Sequence, residues 1–199
     1  MARLKSADPA LARVIRRVGP FALSPRPGDT FESLLPAVVS QQLHAKAAAA
    51  IHARIVAVLG GEVTPARFQR ASNAMLRCAG LSAAKREALR DLAGKCADGT
   101  VAPRRELETL GDAEIVARLT QVRGVGVWTA QMFLIFRLGR PDVLPSGDFA
   151  IRKAFGLLYR KNGRLPPPSA VERHGRAWAP YRSVASWYLW RSLDVPAAD

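Results

Sequence analysis

Apolar residues recur along this chain at the three-and-four spacing of a helix, and polar residues fill the positions between them. Asp29-Thr30-Phe31-Glu32 reads as a capped helix start with an acid three residues after the cap. Phe31, Leu34, Leu35, Val38 and Val39 then form one apolar stripe. An alanine-rich helix is predicted over 44–59, stopped by Gly60-Gly61. Thr64-Pro65 caps a short helix to about Arg70, and another runs from Ser72 to Ala79, closed by Gly80. Ser82 caps a longer helix that buries Leu81, Ala84, Ala88, Leu89, Leu92 and Cys96. Asp112 caps a helix carrying Ile115, Val116 and Leu119. Further helices are predicted over 125–138, over 148–159, around Val171 and over 181–191. A loop rich in Gly and Pro (Gly163, Pro166, Pro167, Pro168) separates two of them. Residues 1–28, with Pro25 and Pro27, read as a connection between lobes. Period-two alternation is scarce and no hairpin-turn dipeptide bounds it, so the fold class is all-α.

Composition narrows what such a chain can do. Its 199 residues, 49% of them hydrophobic, suffice for one compact domain or two small lobes. A net charge of +14 favours a polyanionic partner, with nucleic acid before an anionic membrane surface. Cys78 and Cys96 are too few for a disulfide framework or a four-cysteine metal site and read as small core residues. His44, His52 and His174 show no ligand spacing and read as surface or capping residues, with His44 close enough to the presumed nucleic-acid face to touch phosphate. Neither a signal peptide nor a stretch long enough to span a bilayer is evident, so a cytoplasmic location without membrane attachment is expected.

The chemistry concentrates in two segments. In Leu119-Thr120-Gln121-Val122-Arg123-Gly124-Val125-Gly126-Val127-Trp128-Thr129-Ala130 one helix ends, a Gly-x-Gly turn follows, and another helix begins at once. Two glycines allow a tight turn and close approach of a partner. The free N–H groups of the new helix make an anion site, with Arg123 adding charge beside it. A DNA phosphate fits, held without reading sequence. The same residues also make an ordinary glycine-rich helix–helix turn. Further on, Leu144-Pro145-Ser146-Gly147-Asp148 delivers an acid to a helix start. That placement caps the helix. It also fixes a carboxylate of the kind glycosidic cleavage needs, because the departing base leaves a sugar with oxocarbenium character.

Taken together, Val-x-Gly-Val-Gly-x-Trp-Thr-Ala followed by Leu-Pro-x-x-Asp resembles the helix-hairpin-helix-Gly/Pro-Asp DNA glycosylases, and most of all the 3-methyladenine DNA glycosylase II family. Asp8-Pro9, the segment 38–48, Gly80-Leu81-Ser82 with Lys85, and the run from Trp178 to Trp190 extend the match over most of the chain. Long members carry an N-terminal α/β domain, and this chain reads as the short form.

The resemblance implies a single glycosylase unit over 1–199 in two helical lobes with a cleft between them. About 30–120 would form one lobe, and about 1–29 plus 121–199 the other, carrying both hairpin and Asp148. It implies a monomer that flips damaged nucleotides out of double-stranded DNA and hydrolytically excises alkylated bases, of the 3-methyladenine and 7-methylguanine type. Alternatives are a non-catalytic helix-hairpin-helix module, or a glycosylase for another lesion class. Asp148 takes the catalytic position. Trp128 and Trp190 line the base pocket, where an indole face attracts a cationic purine, and Met132 shapes it. Gln42 or Leu43 wedges into the gap left by the flipped base. Gly80, Ser82 and Lys85 contact the opposite backbone, while Arg123, Gly124 and Gly126 contact phosphate. Backbone carbonyls of Thr120, Val122 and Val125 hold a monovalent cation, and no other cofactor is expected. Where strand-cutting relatives carry a Schiff-base lysine this chain has Trp128, so no lyase activity is expected.

Overall fold

The computed structural model describes residues 1–160 and 164–195, and Gly163 of the expected Gly/Pro loop lies outside them. Every regular element among the described residues is helical. Two compact units form, one from Met1–Pro25 with the described residues from Leu134 onward, the other from Arg26–Phe133.

Where the proline content suggests a connection, the chain opens instead with two helices, α1 (Ala2–Ala7) and α2 (Pro9–Val18). The signal was there. Asp8 accepts the Leu11 N–H at 2.9 Å and Pro9 stands in the first turn, a cap followed by a proline that gives up no needed donor. α2 buries Leu11, Ala12, Val14 and Ile15 and turns Arg13, Arg16 and Arg17 outward.

The 26–133 unit holds α3 (Thr30–Ser40), α4 (Ala45–Val58), α5 (Pro65–Arg70), α6 (Asn73–Cys78), α7 (Ala83–Ala97), α8 (Arg104–Leu107) and α9 (Asp112–Leu119), and α10 (Val127–Phe136) begins in it. α7 packs against α3 and α5. Phe31 and Phe68 meet edge to face at 5.8 Å, among fully buried Leu35, Leu76, Leu89 and Leu92. Each such side chain contributes about 1.5–3 kcal/mol by leaving water.

Several local expectations change. Asp29 stands at the N-cap of α3, but its carboxylate accepts the Arg104 N–H at 2.8 Å instead of bonding its own helix. Gly111 is the N-cap of α9, and Asp112 is its first residue. Ala84 is exposed, because it falls in the first turn of α7 before the helix reaches the core. Cys78, at the last position of short α6, is exposed as well. Cys96 is half-buried; burial, with the charges of Asp29 and Asp98, pushes its thiol pKa up to about 12, which keeps it an unreactive thiol.

The remaining unit adds α11 (Phe149–Tyr159), α12 (Pro168–Gly175), a 3-10 turn (Arg176–Trp178) and α13 (Arg182–Ser192). α13 packs on α2 and α11 around Leu11, Ile15, Ile151, Phe155, Trp178 and Tyr188. Gly175 sits where a Cβ would come within 2.5 Å of Leu144 and 3.2 Å of the Trp178 ring, so this core closes over a missing side chain.

One carboxylate lies inside this apolar unit. Asp8, 4% exposed, accepts three bonds on Oδ2: from the Tyr159 hydroxyl at 2.6 Å, from Trp178 Nε1 at 2.8 Å and from His174 Nε2 at 2.8 Å. Burial opposes its ionisation, but these bonds and the Leu11 N–H outweigh it and hold its pKa below the usual range. The same burial, with Asp8 beside it, drives the Tyr159 phenol far upward, so it stays a donor. His174, expected at the surface, is thus a partner in the α1–α2 anchor.

Candidate active site

The hairpin belongs to the 26–133 unit, whereas the resemblance implies that it shares the unit that carries Asp148. The reason lies in α7, which supports it along one side. Asp91 accepts the Arg123 N–H at 2.7 Å, Glu87 pairs with the Arg123 guanidinium at 2.8 Å, and the Ala88 methyl lies 3.6 Å from the Cβ position of Gly124. Burial works against the Asp91 charge, but the Arg123 N–H and Lys95 hold its pKa below the ordinary range. None of these α7 residues carries a sequence signal beyond helical spacing.

Gly124 has φ +77°, a left-handed conformation that L side chains resist. Gly126 has no such constraint, and a Cβ built on it meets nothing within 4 Å. Its lack of a side chain therefore serves no need of backbone shape or internal packing. Trp128 follows in the first turn of α10 with 51% of its surface exposed, and Met132, one turn on, is half-buried.

The turn after α3 is tied to this hairpin. The Gln41 side-chain amide donates to the Gly124 carbonyl at 2.8 Å. Gln42 takes φ +58°, the left-handed region that a residue with a side chain seldom adopts, and Leu43 beside it is exposed. The Lys85 ammonium donates to the carbonyls of Val39 at 2.7 Å and Gln41 at 2.9 Å, closing the end of α3. That use differs from the backbone contact expected of it, as removal from water lowers its pKa and its donors face carbonyls within the fold. Ser82 caps α7 by accepting the Lys85 N–H at 3.3 Å, and Gly80 takes φ +102° beside Ile51 and Arg54. His44 caps α4, its Nδ1 accepting the Lys46 N–H at 3.4 Å.

The candidate catalytic carboxylate lies in the other unit. The loop 140–148 is pinned by α13. The Arg182 guanidinium meets Asp142 in two bonds of 2.8 Å, and Ser183 accepts the Val143 N–H at 2.9 Å while donating to the Arg140 carbonyl at 2.6 Å. Burial opposes the Asp142 charge, and the Arg182 bonds overcome it and lower its pKa. Ser146 donates to Glu172 at 2.6 Å. Pro145 accepts the Asp148 N–H at 3.0 Å.

So held, Asp148 is the N-cap of α11 with 9% of its surface exposed. Its Oδ1 accepts the Ile151 N–H at 2.8 Å and the Trp190 indole N–H at 3.0 Å. One face of Trp190 stacks on Phe136, centroids 5.6 Å apart and planes 30° from parallel. A Cβ built on Gly147 meets nothing within 4 Å, and Phe149 on the other side of Asp148 is 65% exposed. Phe136 and Phe149 were not expected as site residues, since an aromatic on a helical stripe reads as core. A fixed carboxylate beside a bare glycine can stabilise a cation formed on a group that approaches there.

The chain is similar to known proteins over most of its length. Residues 35–180 match the HhH-GPD superfamily base excision DNA repair protein model. The chain is 36% identical over 196 residues to a DNA-3-methyladenine glycosylase of Schizosaccharomyces pombe, covering 96% of this chain and 86% of that protein. A solved structure of an S. pombe 3-methyladenine DNA glycosylase in complex with abasic DNA superposes with a TM-score of 0.86 at 35% identity, over 98% of this chain and 96% of that one. A DNA-3-methyladenine glycosidase from Bacillus halodurans gives a TM-score of 0.88 at 36% identity, over 96% and 89% of the two chains.

Proposed function

Because the chain belongs to the HhH-GPD superfamily of base excision DNA repair proteins, we propose that it is a monofunctional DNA glycosylase that excises alkylated bases, of the 3-methyladenine and 7-methylguanine type, from double-stranded DNA. The observation that carries this reading is Asp148, a carboxylate held by two N–H donors at the start of α11 beside an open glycine.

The base must leave the stack before its glycosidic bond can be reached. In an N-alkylated purine the bond from C1′ breaks with its electron pair passing to the cationic base, which departs neutral. The sugar is left with oxocarbenium character, and the Asp148 carboxylate stabilises that charge. Water adds to C1′ and gives up one proton, leaving free base and an abasic site. The lesion's own charge makes it a good leaving group, so little acid catalysis at the base is needed and uncharged lesions react more slowly. We assign Trp128, with its exposed indole, to stacking on the cationic base. Met132, one turn further along α10, is assigned to shaping that stack.

Phosphate binding at the hairpin is supported by Gly126, whose bare backbone answers to nothing inside the protein. α2 presents Arg13, Arg16 and Arg17 to solvent with no ion pair among the described residues, in keeping with a polyanionic partner. Gln42 and Leu43, on a strained and exposed turn tied to the hairpin, are assigned to the gap in the stack. A monovalent cation is assigned to the Thr120, Val122 and Val125 carbonyls, of which that of Val122 also accepts the Val125 N–H at 3.0 Å. Thr120 follows the last turn of α9, where carbonyls lack intrahelical partners, and neutral oxygens suit a singly charged ion. Bound there, it would stiffen the turn through these three carbonyls.

A base-release assay on duplex DNA treated with a methylating agent, products identified by mass, tests the reading. Wild type should release methylated purines, and Asp148→Asn should release none while still binding duplex. Equal release by the two proteins overturns the assignment of Asp148, and no release by wild type leaves a DNA-binding module without this activity.

A further inference from the structure

Helix α13 grips the loop that carries Asp148 at both of its ends. Its first turn holds the beginning, through Arg182 on Asp142 and Ser183 on Val143 and Arg140. Its last turn holds the end, through Trp190 on Asp148. Arg182 and Trp190 stand eight positions apart on the helix, a rigid spacing of about 12 Å. α13 is itself fixed, with Tyr188 and Leu189 fully buried and the Tyr188 hydroxyl donating to the Gly19 carbonyl at 2.9 Å.

Resting on the reading of Asp148 as the catalytic carboxylate, we propose that Trp190 is a positioning residue whose indole N–H sets the orientation of that carboxylate, with Phe136 stacked on the ring to hold the N–H in place. A side-chain carboxylate capping a helix can still swivel about its last bond. Here Oδ1 receives two donors that approach from different elements, Ile151 of α11 and Trp190 of α13. Two fixed donors on one oxygen leave the other with a single set position. The indole suits this task for a chemical reason. It is a donor only, carries no charge and does not titrate, so it cannot take a proton from the reaction or exchange roles with its partner. The stack on Phe136 occupies one of its faces and restricts the ring to the tilt that aims Nε1 at Asp148. This role differs from contact with the base, which calls on an open indole face and not on the N–H.

Trp190→Phe keeps a six-membered ring for Phe136 and removes the N–H together with the pyrrole part of the indole. Single-turnover release of 7-methylguanine should fall on the order of 10- to 100-fold, the cost of a misaimed charge. Affinity for duplex carrying an abasic-site analogue should stay at the wild-type value. In a nitrogen-15 spectrum the Trp190 Nε1–H signal, identified by its loss in Trp190→Phe, should move upfield in Asp148→Ala. A wild-type release rate in Trp190→Phe, a defect in affinity instead of rate, or an unmoved indole signal each overturns the proposal. Failure of the glycosylase reading shows separately, as absence of release by wild type.

Discussion

The side-chain amide of Gln41 donates to the backbone carbonyl of Gly124, 83 positions away along the chain, at 2.8 Å. One hydrogen bond thus joins the turn that ends α3 to the glycine hairpin. Lys85 reinforces the turn and Asp91 the hairpin, both from α7. The two segments assigned to DNA contact are therefore built on one helix, which makes their spacing a property of the folded unit before any nucleic acid arrives.

Lys85 provides a direct check. If its ammonium serves the Val39 and Gln41 carbonyls, Lys85→Met should lower stability by about 1–3 kcal/mol in chemical denaturation, since two part-buried carbonyls lose their donor. The slope of log Kobs against log salt for duplex binding should not change. A shallower slope would put Lys85 on a phosphate.

The hairpin glycines should separate into two kinds. Gly124→Ala forces a left-handed alanine and should cost about 1–2 kcal/mol of stability. Gly126→Ala meets no neighbour and should melt like wild type, yet weaken duplex binding equally for all sequences. Sequence-selective loss, measured across several duplexes by fluorescence anisotropy, would contradict phosphate contact there.

Asp8 gives the unit that bears Asp148 a dependence on pH. Its carboxyl has a folded pKa below the usual 3.8, so the stability it contributes is present above that value and is lost as pH falls through the folded one. Urea midpoints should fall more steeply below pH 4 for wild type than for Asp8→Asn. At neutral pH the variant should be less stable by about 1.5–3 kcal/mol, because its amide offers a donor to three groups that already donate. Parallel acid limbs for the two proteins would remove Asp8 from this role.

Trp128 stands directly after the Gly-x-Gly-x run, where an amine would be needed to attack the sugar carbon. Borohydride treatment of the protein with abasic duplex should yield no covalent adduct on a denaturing gel. An adduct mapped to a lysine would show a lyase route that this position does not supply.

What the linear order of residues determined is local. Ser82, Thr64, Ser72 and Asp148 cap the helices they precede, because a cap reaches only three residues ahead. The Gly-x-Gly turn and the acid after the proline loop were readable for the same reason, as was the all-helical class from apolar spacing. Tertiary structure decided which of these signals share a platform and what the distant side chains do. The Lys85 ammonium turned to carbonyls at the end of α3, Trp190 offered its N–H to Asp148, and Asp8 drew in Tyr159, His174 and Trp178. Those outcomes depend on the need of buried polar groups for partners, and partners 40 to 170 positions apart are chosen by packing, which no local pattern encodes.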